Sequence, residues 1–117
     1  MTNKIKITPF EDGIIVSIIG DLDSLRTMAY RNLIINEMEI NNARAILWDF
    51  SKLAFLDSSG IGLILGRYNE IRRIGGICGI MGLTNSTRKI IEMSGLFSIL
   101  DEYRSVAAFK KKVRINI

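Results

Sequence analysis

Two adjacent serines, Ser58 and Ser59, stand where an aliphatic segment gives way to the start of a predicted helix. A hydroxyl at such a position can accept a hydrogen bond from a free amide of the first helical turn, which stabilises the helix by about 1 kcal/mol. Capping needs only one serine, so the other hydroxyl is left near the positive pole of the helix. A phosphate added there would carry roughly two negative charges, and that pole would favour it. From these residues alone, plain capping is the simpler interpretation, and a phosphorylation switch stays open beside it.

Acidic residues surround the serine pair. Asp57 precedes it, while Asp21 and Asp23, followed by Ser24, come after an earlier aliphatic segment. Loops at the carboxyl ends of strands form the sites of open α/β sheets, and both of these loops qualify. If the two loops are neighbours, their carboxylates would repel a phosphate on a serine. A binding surface formed by the loops would then change its electrostatic potential without refolding.

The three aspartates Asp21, Asp23 and Asp57 also permit a second interpretation, a receiver-like Mg²⁺-dependent aspartyl phosphoacceptor. Carboxylate oxygens are the ligands that Mg²⁺ prefers. Such a domain also needs a lysine at the end of a late inner strand, and the corresponding segment offers Asp101 and Glu102 instead. The alternative therefore lacks one part that its chemistry requires.

Three glycines follow the serines, and their spacing resembles a dinucleotide-binding fingerprint. Gly60, Gly62 and Gly66 form G-x-G-x-x-x-G rather than G-x-G-x-x-G, and no acidic residue ends a suitably placed second strand. Packing is the simpler interpretation. Gly62 and Gly66 lie one helical turn apart and leave a flat strip where another backbone can approach.

The composition excludes several kinds of chemistry. The 117 residues include no histidine, which removes histidine general bases, histidine-activated nucleophiles and histidine metal ligands. The single cysteine, Cys78, forms no intramolecular disulfide, and its aliphatic neighbours indicate a small buried side chain. The net charge is +4, but the basic residues are scattered apart from Lys110–Lys112, so we predict no direct contact with nucleic acid.

Apolar periodicity places these residues on alternating strands and helices. The predicted strands are Ile5–Thr8, Ile14–Ile19, Ala45–Phe50 and Ile77–Met81, with a possible edge strand at Ile99–Leu100. The predicted helix starts are Ser24, Ser59, Asn85 or Ser86, and Ser105. Buried stripes are predicted at Tyr30, Leu33, Ile34 and Met38 on the first helix, and at Ile61, Ile64, Leu65, Tyr68 and Ile71 on the second.

This alternation predicts an α/β fold with a mixed, mainly parallel sheet of about four to five strands, flanked by about four helices. The length fits a single domain over residues 1–117. Residues 1–10 do not resemble a signal segment, and no apolar run approaches the roughly 20 residues that span a bilayer. We therefore expect a cytoplasmic protein with no membrane span.

Several stretches together resemble one known family. They are Gly20-Asp21-Leu22-Asp23, Asp57-Ser58-Ser59-Gly60-Ile61-Gly62, Ile64-Leu65-Gly66-Arg67-Tyr68, Ile74-Gly75-Gly76 and Met93-Ser94-Gly95-Leu96-Phe97. On these motifs the chain resembles STAS domains, the family of the anti-sigma factor antagonists, and within it the antagonists of sporulation. The resemblance covers nearly the whole chain and implies a STAS-like mixed sheet flanked by helices.

The resemblance also implies a binding module with no catalysis and no cofactor. In this family the unphosphorylated antagonist binds an anti-sigma factor that is also a serine kinase, and sigma factor is released. The kinase phosphorylates the serine that matches Ser58, the complex dissociates, and a metal-dependent serine phosphatase resets the antagonist. We therefore expect phosphorylation at Ser58, with no catalytic or metal-binding residue. The expected partner-binding residues are Asp21, Asp23, Ser24, Asp57, Ser59, Gly60, Ile61 and Gly62.

Overall fold

The structure, a computed structural model, describes residues 2–117 and contains a six-stranded sheet with four α-helices. The strands are β1 (Lys4–Phe10), β2 (Gly13–Leu22), β3 (Ala45–Asp49), β4 (Leu53–Leu56), β5 (Ile77–Met81) and β6 (Asp101–Glu102). The helices are α1 (Thr27–Ile40), α2 (Ser58–Arg73), α3 (Asn85–Ser94) and α4 (Val106–Asn116), with a short 3-10 helix at Leu96–Ser98. Within residues 2–117, none of the helices could serve as a membrane span.

The sheet is mixed and mainly parallel, which confirms the predicted fold class. Its order is β1-β2-β3-β5-β6, and β4 pairs with β2 beyond the end of β3. β1 and β2 form an antiparallel hairpin, and the other pairings are parallel. The sheet has more strands than expected because β4 was not predicted. β4 is four residues long, and its middle residues, Ala54 and Phe55, are exposed, so neither a buried run nor a strict alternation marks it in the sequence.

Side chains along β2 and β3 alternate between two hydrophobic cores, because successive residues of a strand point to opposite faces. Ile14, Val16 and Ile18 belong to the larger core, which α1, α2 and α3 cover. Ile15 and Leu47 belong to the smaller core, which α4 covers. Both faces of the central strands are therefore buried, which explains their nearly continuous aliphatic sequences.

Cys78 is buried on β5, as its aliphatic neighbours predict. Burial raises the pKa of its thiol to about 12. The thiolate, which is the reactive form of cysteine, is therefore strongly disfavoured at neutral pH.

Helix α2, which carries the serine pair, is rotated by part of a turn from its predicted orientation. The members of the predicted stripe that are buried or partly buried are Ile61, Ile64, Tyr68 and Ile71. Leu65 is 41% exposed, so its prediction as a core residue is wrong, and Leu63 is buried instead. Apolar residues occur on more than one side of this helix. Spacing alone therefore did not decide which leucine faces the sheet.

Truncation of Ile64 and of Leu65 should have very different costs. Ile64→Ala is expected to lower the free energy of unfolding by about 2–5 kcal/mol, because the side chain is fully buried and its removal leaves a cavity. Leu65→Ala should change it by less than about 1 kcal/mol, because the side chain is half-exposed. Urea unfolding measures both variants, and a larger loss for Leu65→Ala would mean that α2 has a different rotation.

The predicted helix starts are only partly confirmed. Ser105 caps α4 as predicted, its hydroxyl accepting a hydrogen bond from an amide of the first turn. Helix α3 is capped by Thr84, within a capping box, and not by Asn85 or Ser86. Several consecutive residues here have side chains able to cap, so composition did not identify which one has the extended backbone that a cap requires.

Helix α1 starts at Thr27 and has no side-chain cap, so the prediction that Ser24 caps it is wrong. Its buried residues are Tyr30, Ile34 and Met38, as predicted. Leu33, also predicted in that stripe, is 48% exposed.

The last strand, β6, is Asp101–Glu102 and not Ile99–Leu100. Leu100 is buried in the larger core, where it follows the 3-10 helix. Its apolar character therefore reflects core packing rather than a place in the sheet.

Candidate functional site

The two loops that carry the predicted site residues lie side by side. β2 and β4 run parallel, and Leu22 and Leu56, their last residues, are register partners. The amide of Asp57 donates to the carbonyl oxygen of Leu22 at 3.4 Å. The segment after β2, with Asp23, therefore adjoins the segment after β4, with Ser58. The strand that sequence reasoning missed is the one that positions the serine pair.

Asp57, rather than either serine, caps helix α2. Its Oδ1 accepts hydrogen bonds from the amides of Ser59 at 2.9 Å and Gly60 at 3.2 Å. The expectation that one of the two serines caps the helix is therefore corrected. Ser58 is exposed as the first residue of α2, and Ser59 is half-buried as the second. The Ser58 hydroxyl is thus available to another molecule without loss of the cap.

We expect the stability of this helix start to depend on Asp57 and not on Ser58. Asp57→Ala removes both capping hydrogen bonds and should lower the free energy of unfolding by about 1 kcal/mol. Ser58→Ala should change it by less than about 0.5 kcal/mol, because an exposed side chain is removed. Asp57→Asn keeps a good capping side chain and is the control. Thermal and urea unfolding measure the three variants, and an equal loss for Ser58→Ala would assign the capping role to the serine.

Asp23 organises the turn between β2 and α1. Its Oδ2 accepts a hydrogen bond from Arg26 Nη1 at 2.7 Å, and its Oδ1 accepts one from the amide of Leu25 at 3.2 Å. Its carbonyl oxygen accepts from the amides of Arg26 and Thr27 at 3.1 and 3.0 Å. The Asp23 side chain is only 20% exposed. Its carboxylate therefore acts mainly within the chain, where it fixes the turn that presents Ser24 and Leu25.

The charges around Ser58 differ from the simple picture of a phosphate bound at a helix N-terminus. The amides of Ser59 and Gly60 already bind the Asp57 carboxylate. A phosphate on Ser58 would therefore add its charge beside an existing negative charge. Arg26 offsets the charge of Asp23, whereas Asp57, which directly precedes Ser58, would repel the phosphate.

The acidic residues are not arranged as a metal site. Within residues 2–117 no three histidine, cysteine or acidic side chains lie close enough together to hold a metal ion. Asp21 lies inside β2, Asp23 pairs with Arg26, and Asp57 caps α2. Each aspartate thus has a separate structural place, and none of them points to the receiver-like alternative.

The three glycines of α2 have different surroundings. Gly60 is buried against Leu56 and Leu22, and a β-carbon there would lie only 2.9 Å from Leu22 Cγ. We therefore assign Gly60 a packing role and remove it from the expected docking surface. Apart from its chain neighbours and the adjoining backbone of α2, a β-carbon at Gly62 or Gly66 would have no atom of residues 2–117 within 4 Å. These two glycines expose the backbone of α2 to open space.

That open space is a groove of about 380 Å³ between α1 and α2. Its lining residues are Thr27, Met28, Arg31, Asn32, Ser59, Gly62, Leu63, Gly66 and Arg67. Arg67 is only 4% exposed. Burial lowers its pKa; the carboxylate of Glu70 raises it, and the charge of Arg31 lowers it further. Arg31 and Arg67 therefore lie near enough to repel each other.

Exposed apolar side chains lie on α2, at the groove and in the turn before α1, and the sequence did not predict their exposure. Leu25 is 84% exposed in the turn before α1, and Met28 is 73% exposed at the groove. Leu65 follows Ser58 by seven residues and Gly62 by three, which places all three on one side of α2. Large exposed apolar side chains next to polar residues are typical of protein-binding surfaces. The sequence signal that could have revealed this surface was the presence of leucine and methionine at positions that the predicted core did not require.

Comparison with known proteins identifies the family. Residues 5–109 match the STAS domain family. The anti-sigma F factor antagonist of Paenibacillus polymyxa is 30% identical over 103 residues, which are 88% of each chain. The chain therefore belongs to the STAS domain family.

Solved structures show the same fold. The anti-sigma factor antagonist SpoIIAA in its unphosphorylated form is 24% identical, with 99% of both chains covered and a TM-score of 0.81. The Bacillus cell fate determinant SpoIIAA in its phosphorylated form is also 24% identical, with a TM-score of 0.71 over 94% of this chain and 98% of that one. At this identity the likeness establishes the STAS fold, with its mixed sheet and four helices.

Proposed function

We propose that this chain is an anti-sigma factor antagonist whose binding is switched by phosphorylation of Ser58. The observation that carries the proposal is the exposed hydroxyl of Ser58. This hydroxyl is not needed to cap α2, because Asp57 is the cap. The hydroxyl stands at one end of an uncovered surface of glycine backbone and apolar side chains. A relative at 30% identity is named an anti-sigma F factor antagonist, which supports the same class of activity.

In the unphosphorylated state, the proposed docking surface is presented to an anti-sigma factor that is also a serine kinase. The surface consists of Asp21, Asp23, Ser24, Asp57, Ser58, Ser59, Ile61 and Gly62, together with Leu25, Met28 and Leu65. Binding occupies the anti-sigma factor, and sigma factor is released. Aspartates hold the surface in place, and the apolar side chains and exposed glycine backbone supply the contact area.

The kinase then acts on the chain that it has bound. The Ser58 hydroxyl attacks the γ-phosphorus of ATP held by the kinase, ADP leaves, and the hydroxyl proton passes to a base on the kinase. The phosphate stands beside Asp57 and places about two further negative charges in the interface. Like charges confined in an interface cost several kcal/mol, so the complex dissociates.

A metal-dependent serine phosphatase resets the chain by hydrolysing the phosphoserine. In this cycle the chain is a substrate and a competitor in the cytoplasm, and it has no catalysis or cofactor of its own. The catalytic groups belong to the kinase or the phosphatase, and this chain supplies only the Ser58 hydroxyl that is modified. This division agrees with the absence of histidine from the 117 residues.

Reconstitution with purified proteins tests the proposal. The unphosphorylated chain is added to the complex of the anti-sigma factor and sigma factor from the same bacterium, with ADP or with ATP, and free sigma factor is measured by gel filtration. We expect release with ADP, and with ATP a loss of release as phosphate accumulates at Ser58, located by mass spectrometry. No release of sigma factor at any concentration would contradict antagonist function. Stoichiometric phosphate at another residue would contradict the assignment of Ser58.

A further inference from the structure

Arg67 has hydrogen-bonding capacity that the rest of the chain does not use. The residue is 4% exposed, and its Nη2 lies 2.9 Å from Glu70 Oε1. The buried Nε and Nη1 atoms have no hydrogen-bond partner within residues 2–117. A buried guanidinium is stable only with good compensation, and unmade hydrogen bonds to a charged group are costly. Arg67 is therefore poorly explained as a purely structural residue.

The groove above Arg67 is positively charged. Arg31 lines it from α1, and the lining residues include Arg67 but no aspartate or glutamate among those that the structure describes. Glu70 pairs with Arg67 and has 39% of its side chain exposed, and the charge of Arg31 also acts on Arg67. The groove thus carries about one uncompensated positive charge, and an anion would fit it.

The surroundings of this charge favour a protein as the source of the anion. Gly62 and Gly66 expose backbone along the groove, and Met28 presents an apolar side chain at its edge. The groove is continuous with the start of α2 through Ser59. A free phosphate would make no use of apolar contacts or of exposed backbone, whereas a protein segment with an acidic side chain would use both.

We propose that the groove between α1 and α2 receives an acidic side chain of the anti-sigma factor, whose carboxylate is bound by Arg31 above the buried charge of Arg67. The backbone of the partner segment lies over Gly62 and Gly66. Arg31 is exposed and meets the carboxylate directly, while Arg67 contributes its charge from below, where screening by water is weak. This inference rests on the proposed function and adds a specific ionic contact to it.

Two charge reversals with equal effect on net charge provide the test. Arg31→Glu changes the groove, and Arg73→Glu changes an exposed arginine at the far end of α2. Isothermal titration calorimetry with the anti-sigma factor should show about 30-fold or greater weakening for Arg31→Glu, the scale of a close charge pair across an interface. Arg73→Glu should weaken binding by less than about 3-fold, as expected of a remote surface charge. Both positions are exposed, and thermal unfolding verifies that both variants are folded.

A second variant separates a binding role of Arg67 from a structural one. Arg67→Met keeps an unbranched side chain and removes the buried charge, so it should unfold at the same urea concentration as wild type or at a higher one. Its affinity for the anti-sigma factor should nevertheless fall by about 10-fold. A variant that is markedly less stable but binds with unchanged affinity once folded would give Arg67 a structural role and overturn the inference.

The remaining outcomes distinguish this inference from the proposed function. If wild type does not bind the anti-sigma factor, the proposed function fails and the inference fails with it. If wild type binds and Arg31→Glu binds equally well, only the inference is wrong. Inorganic phosphate or ATP is also titrated alone, and binding that Arg31→Glu abolishes would make the groove a small-anion site. A wild-type dimer that Arg31→Glu dissociates would instead make a second copy the occupant.

Discussion

Ser58→Glu is expected to lower the affinity for the anti-sigma factor by roughly 100-fold, because a like charge enclosed in an interface costs about 3 kcal/mol. The new carboxylate directly follows Asp57, whose own carboxylate already accepts the hydrogen bonds from the amides at the start of α2. Glutamate carries one negative charge where phosphoserine carries nearly two, so the phosphorylated chain should bind more weakly still. Calorimetry with wild type, Ser58→Glu and the enzymatically phosphorylated chain gives the three affinities.

Two controls make this result specific to position 58. Ser58→Ala should bind about as tightly as wild type and incorporate no phosphate, which would leave it permanently active. Ser86→Glu places the same charge on an exposed serine in the first turn of α3 and should leave the affinity unchanged. Wild-type affinity for Ser58→Glu, or stoichiometric phosphate on Ser58→Ala, would mean that the switch lies elsewhere.

Gly62→Trp is expected to abolish detectable binding of the anti-sigma factor while the chain stays folded. Gly62 is exposed, and a β-carbon there would meet no atom outside its own helix within 4 Å, so a side chain can leave the helix toward the groove without a collision at its base. The same indole would fill the space into which the partner is proposed to dock, and its steric overlap with the partner would prevent binding. Calorimetry measures binding, and circular dichroism with urea unfolding measures the fold. Tight binding by a folded Gly62→Trp variant would place the partner on another face.

Alanine substitutions at the three glycines of α2 separate the effect of available space on stability from the effect of helix propensity. Gly62→Ala and Gly66→Ala should each stabilise the chain by about 0.5–1 kcal/mol, because alanine is the better helix former and its methyl group meets nothing. Gly60→Ala should destabilise it by about 1–3 kcal/mol, because the methyl group collides with the buried Leu22 and Leu56. Opposite signs within one helix would confirm which of its faces is open.

The sequence predicted the framework better than the details of the site. Long aliphatic runs identified the central strands, since a strand buried on both faces has little freedom in composition. β4 was missed because four residues with an exposed middle carry no periodic signal. The pairing of β4 with β2 brings Asp57 beside the turn at Asp23, so the missed strand is the one that explains how the two loops meet.

Side-chain roles at the site were harder to predict than its location. Asp57, Ser58 and Ser59 all have oxygen atoms that can cap a helix, and only the backbone angles identify Asp57 as the cap. The burial of Arg67 could not be predicted from the sequence either, because arginine is almost always at least partly exposed. Both features depend on how α1 and α2 pack together, which spacing along one helix does not specify.

The cap at Asp57 also bears on how long a signal can last. Because the helix start depends on an aspartate, a phosphate on the next residue leaves its hydrogen bonds in place. The phosphorylated chain should then unfold, and be lost to proteases, at nearly the rate of the unmodified one. Phosphorylation itself would then not shorten the life of the chain, and the duration of the phosphorylated state would depend mainly on the phosphatase of the proposed cycle. A cell could therefore hold a standing pool of inactive but intact molecules and return all of them to use without new synthesis.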